Sequence, residues 1–202
     1  MQARMKTPEV SFVGSAASPE GFPRDGLPEV AFLGRSNVGK SSLLNALAGK
    51  RAVARVSNTP GRTRLVNFFR VDDELYFADL PGYGYAKAPK QERERWEELV
   101  RSYIEGRHQL ALCVFLVDSR HDPMPRDEML RGYLDDLDLV YVVASTKADK
   151  LGRGALSRRQ AGLRNGLAAR ATDVVAVSAR TGHGIRDLWK VIRAVVSQHP
   201  EN

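Results

Sequence analysis

The sequence predicts an α/β fold, in which a doubly wound and mostly parallel β-sheet carries helices on both faces. Short apolar runs typical of buried strands alternate with amphipathic segments of helical period. The stretch GRSNVGKS at residues 34–41 directly follows an apolar run and precedes a helical pattern, which is the context of a phosphate-binding P-loop. Two later apolar runs are so close that they must pair antiparallel. These observations favour a P-loop NTPase fold with one antiparallel edge strand.

Strand and helix patterns extend along the chain. Seven apolar runs are predicted strands, at residues 9–14, 29–34, 65–71, 74–80, 110–118, 139–145 and 173–179. Five amphipathic patterns are predicted helices, at residues 40–49, 90–106, 125–137, 157–170 and 183–198. Only Asp72 and Asp73 separate the third strand from the fourth, so we expect an antiparallel hairpin there.

The length and composition indicate one cytoplasmic domain. A chain of 202 residues suits a single domain over residues 1–202, with a short N-terminal extension of about the first 25 residues. The longest apolar run, residues 110–117, is far shorter than the roughly 20 residues of a membrane-spanning helix. The only cysteine, Cys113, lies inside that run, which excludes a disulfide framework and favours a reducing compartment.

The charge distribution suits a polyanionic partner. The net charge is +7, and residues 30–71 and 150–172 contain no acidic residue but eight and six cations, respectively. Such basic segments either contact nucleic acid or are solvated basic faces, and the sequence leaves both interpretations open.

The P-loop residues have defined chemical tasks. Gly34 and Gly39 let backbone N–H groups approach phosphate oxygens, and the helix that follows adds its N-terminal dipole. Lys40 is predicted to bridge the β- and γ-phosphates, and the Ser41 hydroxyl to bind Mg²⁺.

The motif DLPG at residues 79–82 ends a predicted strand at the same sheet edge. Asp79 is predicted to hold Mg²⁺ through a water molecule, and the Gly82 N–H to sense the γ-phosphate. The loop VSNTPGRTRLV before the hairpin is predicted to lend a threonine to Mg²⁺, and Thr59 and Thr63 are both candidates on spacing alone.

The motif TKAD at residues 146–149 indicates which base is bound. The Asp149 carboxylate can accept the N1–H and N2–H donors of guanine, whereas adenine has an acceptor at N1. Lys147 is expected to lay its methylene stem along the base, and amides around Ser178 and Ala179 to donate to guanine O6. Guanine nucleotides, GTP and GDP, are therefore favoured.

Five segments together resemble one family. GRSNVGKS, TPGRT, DLPGYGYA, TKAD and the strand end VSA closely resemble the EngB-type (YihA/YsxC) bacterial GTP-binding proteins of the TrmE-Era-EngA-EngB-Septin-like class, from about residue 9 to the C-terminus. The resemblance implies that Thr63 is the second protein ligand of Mg²⁺ and that residues 61–65 contact the nucleotide. Thr146 stands where most GTPases have asparagine, as in this family's own pattern, and Arg64 stands where many relatives have glutamine.

The resemblance also implies a function. It implies a magnesium-dependent GTPase that acts as a switch in assembly of the large ribosomal subunit and is needed for normal cell division and septation. The expected partner is the large subunit or its rRNA, and we expect a monomer without sequence-specific DNA binding. Two alternatives from other classes are a nucleic-acid-binding module with a vestigial nucleotide site and a P-loop small-molecule kinase.

The residue after DLPG predicts slow hydrolysis by the isolated protein. Many GTPases have a water-orienting glutamine at this position, and here it is Tyr83. Related GTPases with asparagine at the position of Asn37 bind potassium where an arginine finger would sit, so a K⁺ requirement is a further hypothesis.

The complete predicted site has three parts. The predicted nucleotide-contacting residues are Gly34, Arg35, Ser36, Asn37, Val38, Gly39, Lys40, Ser41, Gly61, Arg62, Thr63, Arg64, Leu65, Asp79, Leu80, Pro81, Gly82, Thr146, Lys147, Ala148, Asp149, Val177, Ser178 and Ala179. The predicted catalytic residues are Asn37, Lys40, Thr63 and Gly82, and the predicted metal ligands are Ser41, Thr63 and, through water, Asp79.

Overall fold

A computed structural model describes residues 7–49, 65–83, 90–168 and 170–200. The strands are β1 (Val10–Ala16), β2 (Glu29–Gly34), β3 (Val66–Val71), β4 (Leu75–Asp79), β5 (Leu110–Asp118), β6 (Tyr141–Thr146) and β7 (Val174–Ala176). The helices are α1 (Lys40–Leu47), α2 (Lys90–Gly106), α3 (Pro125–Asp136), α4 (Arg153–Asn165) and α5 (Ile185–Val196). Short 3₁₀ turns lie at Pro19–Gly21 and Ala148–Lys150. Every strand and helix predicted from the sequence is present. The helix α4 begins four residues and ends five residues earlier than predicted, and β7 ends at Ala176, three residues before its predicted end.

The seven strands form one sheet in the order β1-β3-β4-β2-β5-β6-β7. All neighbouring pairs from β4 to β7 are parallel, whereas β3 runs antiparallel to both β1 and β4. The mostly parallel sheet is therefore confirmed. The reversed strand, predicted at the edge, lies one position inside it, because β1 pairs along the outer side of β3 with Val10 opposite Val71.

The predicted hairpin between β3 and β4 is confirmed. Asp72 and Asp73 both have positive φ, at 49° and 56°. The Glu74 N–H donates to the Val71 carbonyl at 2.9 Å and closes the turn. Two left-handed residues in a tight turn match the right-handed twist of the strands, and aspartate tolerates this conformation better than most residues.

The core lies on both faces of the sheet. On one face α1 and α5 contribute buried side chains such as Leu47, Leu188 and Trp189. On the other face α2, α3 and α4 contribute side chains that include Tyr103 and Leu134. The central strands β2, β5 and β6 are buried along their whole length, which explains their continuous apolar sequences.

Other sequence features agree with this core. Cys113 is fully buried in β5, and burial raises the pKa of its thiol to about 12. No helix in the described ranges is both long enough and apolar enough to cross a membrane.

Gly184 offers a test of how the sheet and α5 fit together. It has φ +71°, and a Cβ atom there would overlap the Ala176 carbonyl oxygen at the end of β7. Gly184→Ala should lower the free energy of unfolding by roughly 2–5 kcal/mol, since backbone strain and a steric clash add. Chemical denaturation of the purified protein measures this.

Gly182→Ala is the matched control. Gly182 also has positive φ, at +77°, but a Cβ atom added there would meet nothing within 4 Å. This variant should lose only the strain of a left-handed alanine, roughly 1 kcal/mol. Equal losses in the two variants would contradict the close packing between Gly184 and β7.

Candidate nucleotide-binding site

The segment 34–41 leaves β2 and turns directly into α1, as the sequence predicted. A Cβ at Gly34 would lie 3.0 Å from the Leu116 carbonyl oxygen and from a Val38 methyl carbon. Asn37 and Gly39 have φ values of +64° and +111°. The loop therefore needs glycine at two positions, one for space and one for backbone conformation.

The Lys40 ammonium pairs with the Asp79 carboxylate. Lys40 is 9% exposed and Asp79 is 3% exposed. The two meet because β2 and β4 are parallel neighbours, with Phe32 opposite Asp79, so both strands end at the same edge of the sheet. A carboxylate buried this deeply requires a cation, and at present Lys40 supplies it.

The oxygen donors near this pair suit a magnesium ion. Mg²⁺ prefers oxygen ligands and is usually bound by one or two protein groups together with phosphate oxygens. The Ser41 hydroxyl and the Asp79 carboxylate are donors of this kind, and Asp79 already balances a positive charge. The site residues therefore fit the metal predicted from the sequence.

Thr146 anchors the P-loop from the end of β6. Its hydroxyl oxygen lies 2.7 Å from the Val38 carbonyl oxygen and 3.1 Å from that of Val117. The threonine that replaces the usual asparagine therefore connects the loop to β5 through a small buried hydroxyl.

Lys147 crosses the top of the loop. It has φ 57°, and its ammonium donates to the Asn37 carbonyl oxygen at 2.9 Å and to the Asp118 carboxylate at 2.8 Å. Burial tends to raise the pKa of Asp118, but hydrogen bonds from Arg120 and Lys147 outweigh this effect and hold the pKa well below its usual range. Asp118 was not predicted as a site residue. The sequence feature that could have identified it is a carboxylate at the end of a predicted central strand, a feature that it shares with Asp79.

The TKAD motif and the VSA segment, residues 177–179, which follows β7, come together. The Ala148 N–H donates to the Val177 carbonyl at 3.1 Å. The Ser178 hydroxyl donates to Oδ1 of Asp149 at 2.7 Å, and Arg180 donates its Nε–H to Oδ2 at 2.8 Å. These two hydrogen bonds lower the pKa of Asp149 from its ordinary value, so the carboxylate is ionised at neutral pH.

The DLPG segment packs directly on the P-loop. The Ser36 N–H donates to the Tyr83 carbonyl at 3.0 Å, and the Tyr83 N–H donates to the Gly34 carbonyl at 3.2 Å. A Cβ at Gly82 would lie 3.0 Å from the Ser36 nitrogen. Gly82 is therefore required for this contact, and the two motifs share backbone hydrogen bonds.

Tyr83 connects this contact to α3. Its hydroxyl donates to Oδ1 of Asp127 at 2.7 Å, and Asp127 is only 1% exposed. Arg35 of the P-loop places its Nε 3.5 Å from the same oxygen. Burial, followed by the hydrogen bond to Asp127, raises the pKa of Tyr83 well above its usual range. Asp127 was not predicted, since in the sequence it is an ordinary acidic residue in the first turn of a helix.

A cavity of about 540 Å³ lies beside these residues, a size typical of small-molecule sites. It extends from the P-loop and α1 to the end of β7. Its lining residues are Gly39, Ser42, Leu43, Asn45, Ala46, Gly49, Thr146, Lys147, Asp149, Lys150, Val177, Ala179 and Arg180.

Some predicted residues are not brought into this arrangement. Gly61, Arg62, Thr63 and Arg64 lie outside the described residues, and so does Thr59. Leu65 is described just before β3, with a side chain that is 36% exposed. Leu80 is buried in the hydrophobic core, so its side chain packs beneath the site. Val177 is buried as well, but it also lines the cavity and its carbonyl accepts from Ala148, so it does belong to the arrangement.

Comparisons with known proteins agree with this geometry. A family model described as a 50S ribosome-binding GTPase matches residues 29–147. A probable GTP-binding protein EngB of Syntrophus aciditrophicus is 46% identical over 189 residues, covering 94% of this chain and 96% of that protein. The crystal structure of a probable GTP-binding protein EngB superposes with a TM-score of 0.69 at 26% identity, covering 84% of this chain and 99% of that one. Era in complex with MgGDPNP and nucleotides 1506–1542 of 16S ribosomal RNA superposes with a TM-score of 0.65 at 25% identity, covering 89% of this chain and 59% of that one.

The bond from Tyr83 to Asp127 can be tested by removing one hydroxyl. Tyr83→Phe should lower the free energy of unfolding by roughly 1.5–3 kcal/mol, because a buried carboxylate loses a donor. Urea denaturation without nucleotide measures the loss.

Tyr133→Phe is the matched control, since the Tyr133 hydroxyl donates to the exposed Glu105 carboxylate at 2.9 Å. That variant should lose less than about 1 kcal/mol, because water replaces an exposed donor. A loss for Tyr83→Phe no larger than for Tyr133→Phe would show that Asp127 does not depend on Tyr83.

Proposed function

Because this chain belongs to the EngB family of GTP-binding proteins and is a GTPase, we propose that it is a magnesium-dependent switch in assembly of the large ribosomal subunit. The observation that carries the proposal is the shared hydrogen bonding between the P-loop and the DLPG segment, in which the Ser36 N–H donates to the Tyr83 carbonyl. Because of this contact, a ligand that binds over the P-loop and takes the Ser36 N–H would change the position of the segment after β4.

The phosphate chain would lie over residues 34–41, where backbone N–H groups and the N-terminus of α1 favour anions. Lys40 would leave Asp79 for the β- and γ-phosphate oxygens. Ser41, Thr63 and, through water, Asp79 would then hold Mg²⁺, which neutralises phosphate charge when bound. The buried position of Asp79 supports this role, since its carboxylate needs a cation in either state.

Guanine would lie in the cavity beside Asp149. The carboxylate has two oxygens at one wall of the cavity and can accept both N1–H and N2–H from the base. Lys147 lines the same cavity, so its methylene stem can cover the base. A small-molecule kinase would need neither of these features, and membership of a GTPase family disfavours it.

The switch would act through competition for one amide. A γ-phosphate over the P-loop competes with the Tyr83 carbonyl for the Ser36 N–H, now held at 3.0 Å. Because Tyr83 is also bonded to Asp127 in α3, a shift of the DLPG segment changes the surroundings of that helix. A partner that contacts this surface can then distinguish GTP from GDP.

The ribosome is the partner that the comparisons support. The matching family model is described as a 50S ribosome-binding GTPase, which supports the large subunit. Era, a structural relative, has been solved with nucleotides of 16S ribosomal RNA, which supports contact with rRNA in general. Arg153 and Arg158 in α4 are exposed and lie in a segment without acidic residues, which suits contact with RNA phosphates. We further propose a cytoplasmic monomer that folds as one domain, is needed for normal cell division and septation, and does not read DNA sequence.

Hydrolysis by the isolated protein is proposed to be slow. The Tyr83 hydroxyl donates its hydrogen bond to Asp127, so it does not orient an attacking water in this arrangement. Asn37 is exposed at the crest of the P-loop with positive φ, beside the expected phosphates. This position supports K⁺ as a supplementary cation.

The potassium proposal predicts a salt-specific rate. With large subunits present, GTP hydrolysis should be several-fold faster in KCl than in NaCl at equal ionic strength, because a correctly placed cation stabilises transition-state charge. Asn37→Ala should remove the difference. Equal rates in the two salts for the unmodified protein would eliminate K⁺ from the proposal.

The ribosome proposal is tested by binding of the purified protein to large subunits. A non-hydrolysable GTP analogue, GDP and no nucleotide are compared at fixed salt by co-sedimentation. We expect about tenfold tighter binding with the analogue than with GDP, a coupling of ordinary size. Lys40→Ala, which should not bind nucleotide, provides the control and should show no nucleotide effect. Equal affinities would contradict the switch, and absence of binding would remove the ribosome as partner.

A further inference from the structure

Both oxygens of Asp149 are occupied by donors from the chain itself. The Ser178 hydroxyl donates to Oδ1 at 2.7 Å, and the Arg180 Nε–H donates to Oδ2 at 2.8 Å. The Asp149 side chain is 9% exposed, whereas that of Arg180 is 69% exposed. A solvent-facing arginine therefore covers the carboxylate proposed to read the base.

The turn after β7 fixes this arrangement. The Gly182 N–H donates to the Ser178 carbonyl at 2.9 Å, and the Thr181 N–H donates to the Ser178 hydroxyl oxygen at 3.2 Å. The Ser178 hydroxyl therefore accepts from Thr181 through its oxygen and donates its hydrogen to Asp149. Arg180 lies inside the turn and lines the same cavity as Asp149.

We propose that Arg180 is a specificity-determining residue. It substitutes for the 2-amino group of guanine as a donor to the Asp149 carboxylate, and it thereby lowers the preference of the protein for guanine nucleotides over hypoxanthine nucleotides. This inference rests on the proposed base-reading role of Asp149.

The chemistry of the two bases gives the reason. Guanine presents N1–H and N2–H side by side, whereas hypoxanthine keeps N1–H and has no amino group. Without another donor, inosine diphosphate (IDP) would leave one oxygen of a largely buried carboxylate unsatisfied, which is costly. We assign the N2–H contact to Oδ2, the oxygen to which Arg180 already donates with a charged group, so the loss is smaller in this protein.

Guanine does not require Arg180 to be absent. A carboxylate oxygen has two acceptor sites and can accept from both the base and a guanidinium. Arg180 can therefore stay beside the bound base or swing into solvent, since its side chain is mostly exposed. In either case it helps the base that lacks the amino group more than the base that has it.

The test is the ratio of the dissociation constants for IDP and GDP, measured by calorimetry with Mg²⁺ present. Arg180→Ala should raise this ratio roughly fivefold. This corresponds to the low end of the free-energy cost of an unsatisfied buried acceptor, because water partly replaces the exposed arginine as a donor. Arg186→Ala is the matched control, since Arg186 is an exposed arginine six residues further along the chain. It removes the same charge and should leave the ratio unchanged.

Two further measurements separate this inference from the proposal on which it rests. If Asp149→Ala loses GDP binding while Arg180→Ala leaves the ratio unchanged, or changes it only as much as Arg186→Ala does, Arg180 has no such role and the base reader stands. If the unmodified protein does not prefer GDP to ADP, or if Asp149→Ala binds GDP normally, the base-reading proposal is wrong and the role of Arg180 falls with it.

Discussion

The parallel alignment of β4, β2, β5 and β6 is the constraint on which the site depends. These four strands are neighbours in the sheet and all run in the same direction, so their carboxyl ends share one edge. Asp79, Gly34, Asp118 and Thr146 are the last residues of these strands. The strands themselves are apolar and buried, but their last residues are polar or small and lie in a row along this edge. The core and the site are consequences of the same alignment.

The P-loop that begins at this edge is held by other segments as well as by its own glycines. Thr146 bonds to the Val38 carbonyl, Lys147 to the Asn37 carbonyl, and the backbone of Tyr83 to Gly34 and Ser36. The backbone groups of a loop have no partners in a regular helix or sheet, so those that are buried need partners from other segments. The same need explains why TKAD and DLPG, far apart in the chain, converge here.

The sequence predicted most of this arrangement, because hydrophobic period and turn residues are local signals. It located every strand and helix, and the two-aspartate connection was enough to predict the hairpin. It did not predict that β1 pairs outside β3, since alternation of side chains does not identify a strand's partner. Asp127 and Arg180 were missed for a related reason. Their roles depend on contacts with Tyr83 and Asp149, which are 44 and 31 residues away in the chain.

Carboxylates along this edge are paired with cations, and these pairs determine what nucleotide binding has to accomplish. Lys40 pairs with Asp79, Lys147 and Arg120 with Asp118, and Arg180 with Asp149. Each carboxylate is less than a tenth exposed, so each would be costly to leave without a positive or donating partner. On the proposed roles, a polyanionic nucleotide attracts Lys40 to its phosphates while Asp79 turns to the metal and Asp149 to the base. Binding then changes the partners of Lys40 and Asp79 and adds the base to the partners of Asp149, in a site whose carboxylates are already paired. Selectivity comes from how well a given base satisfies Asp149.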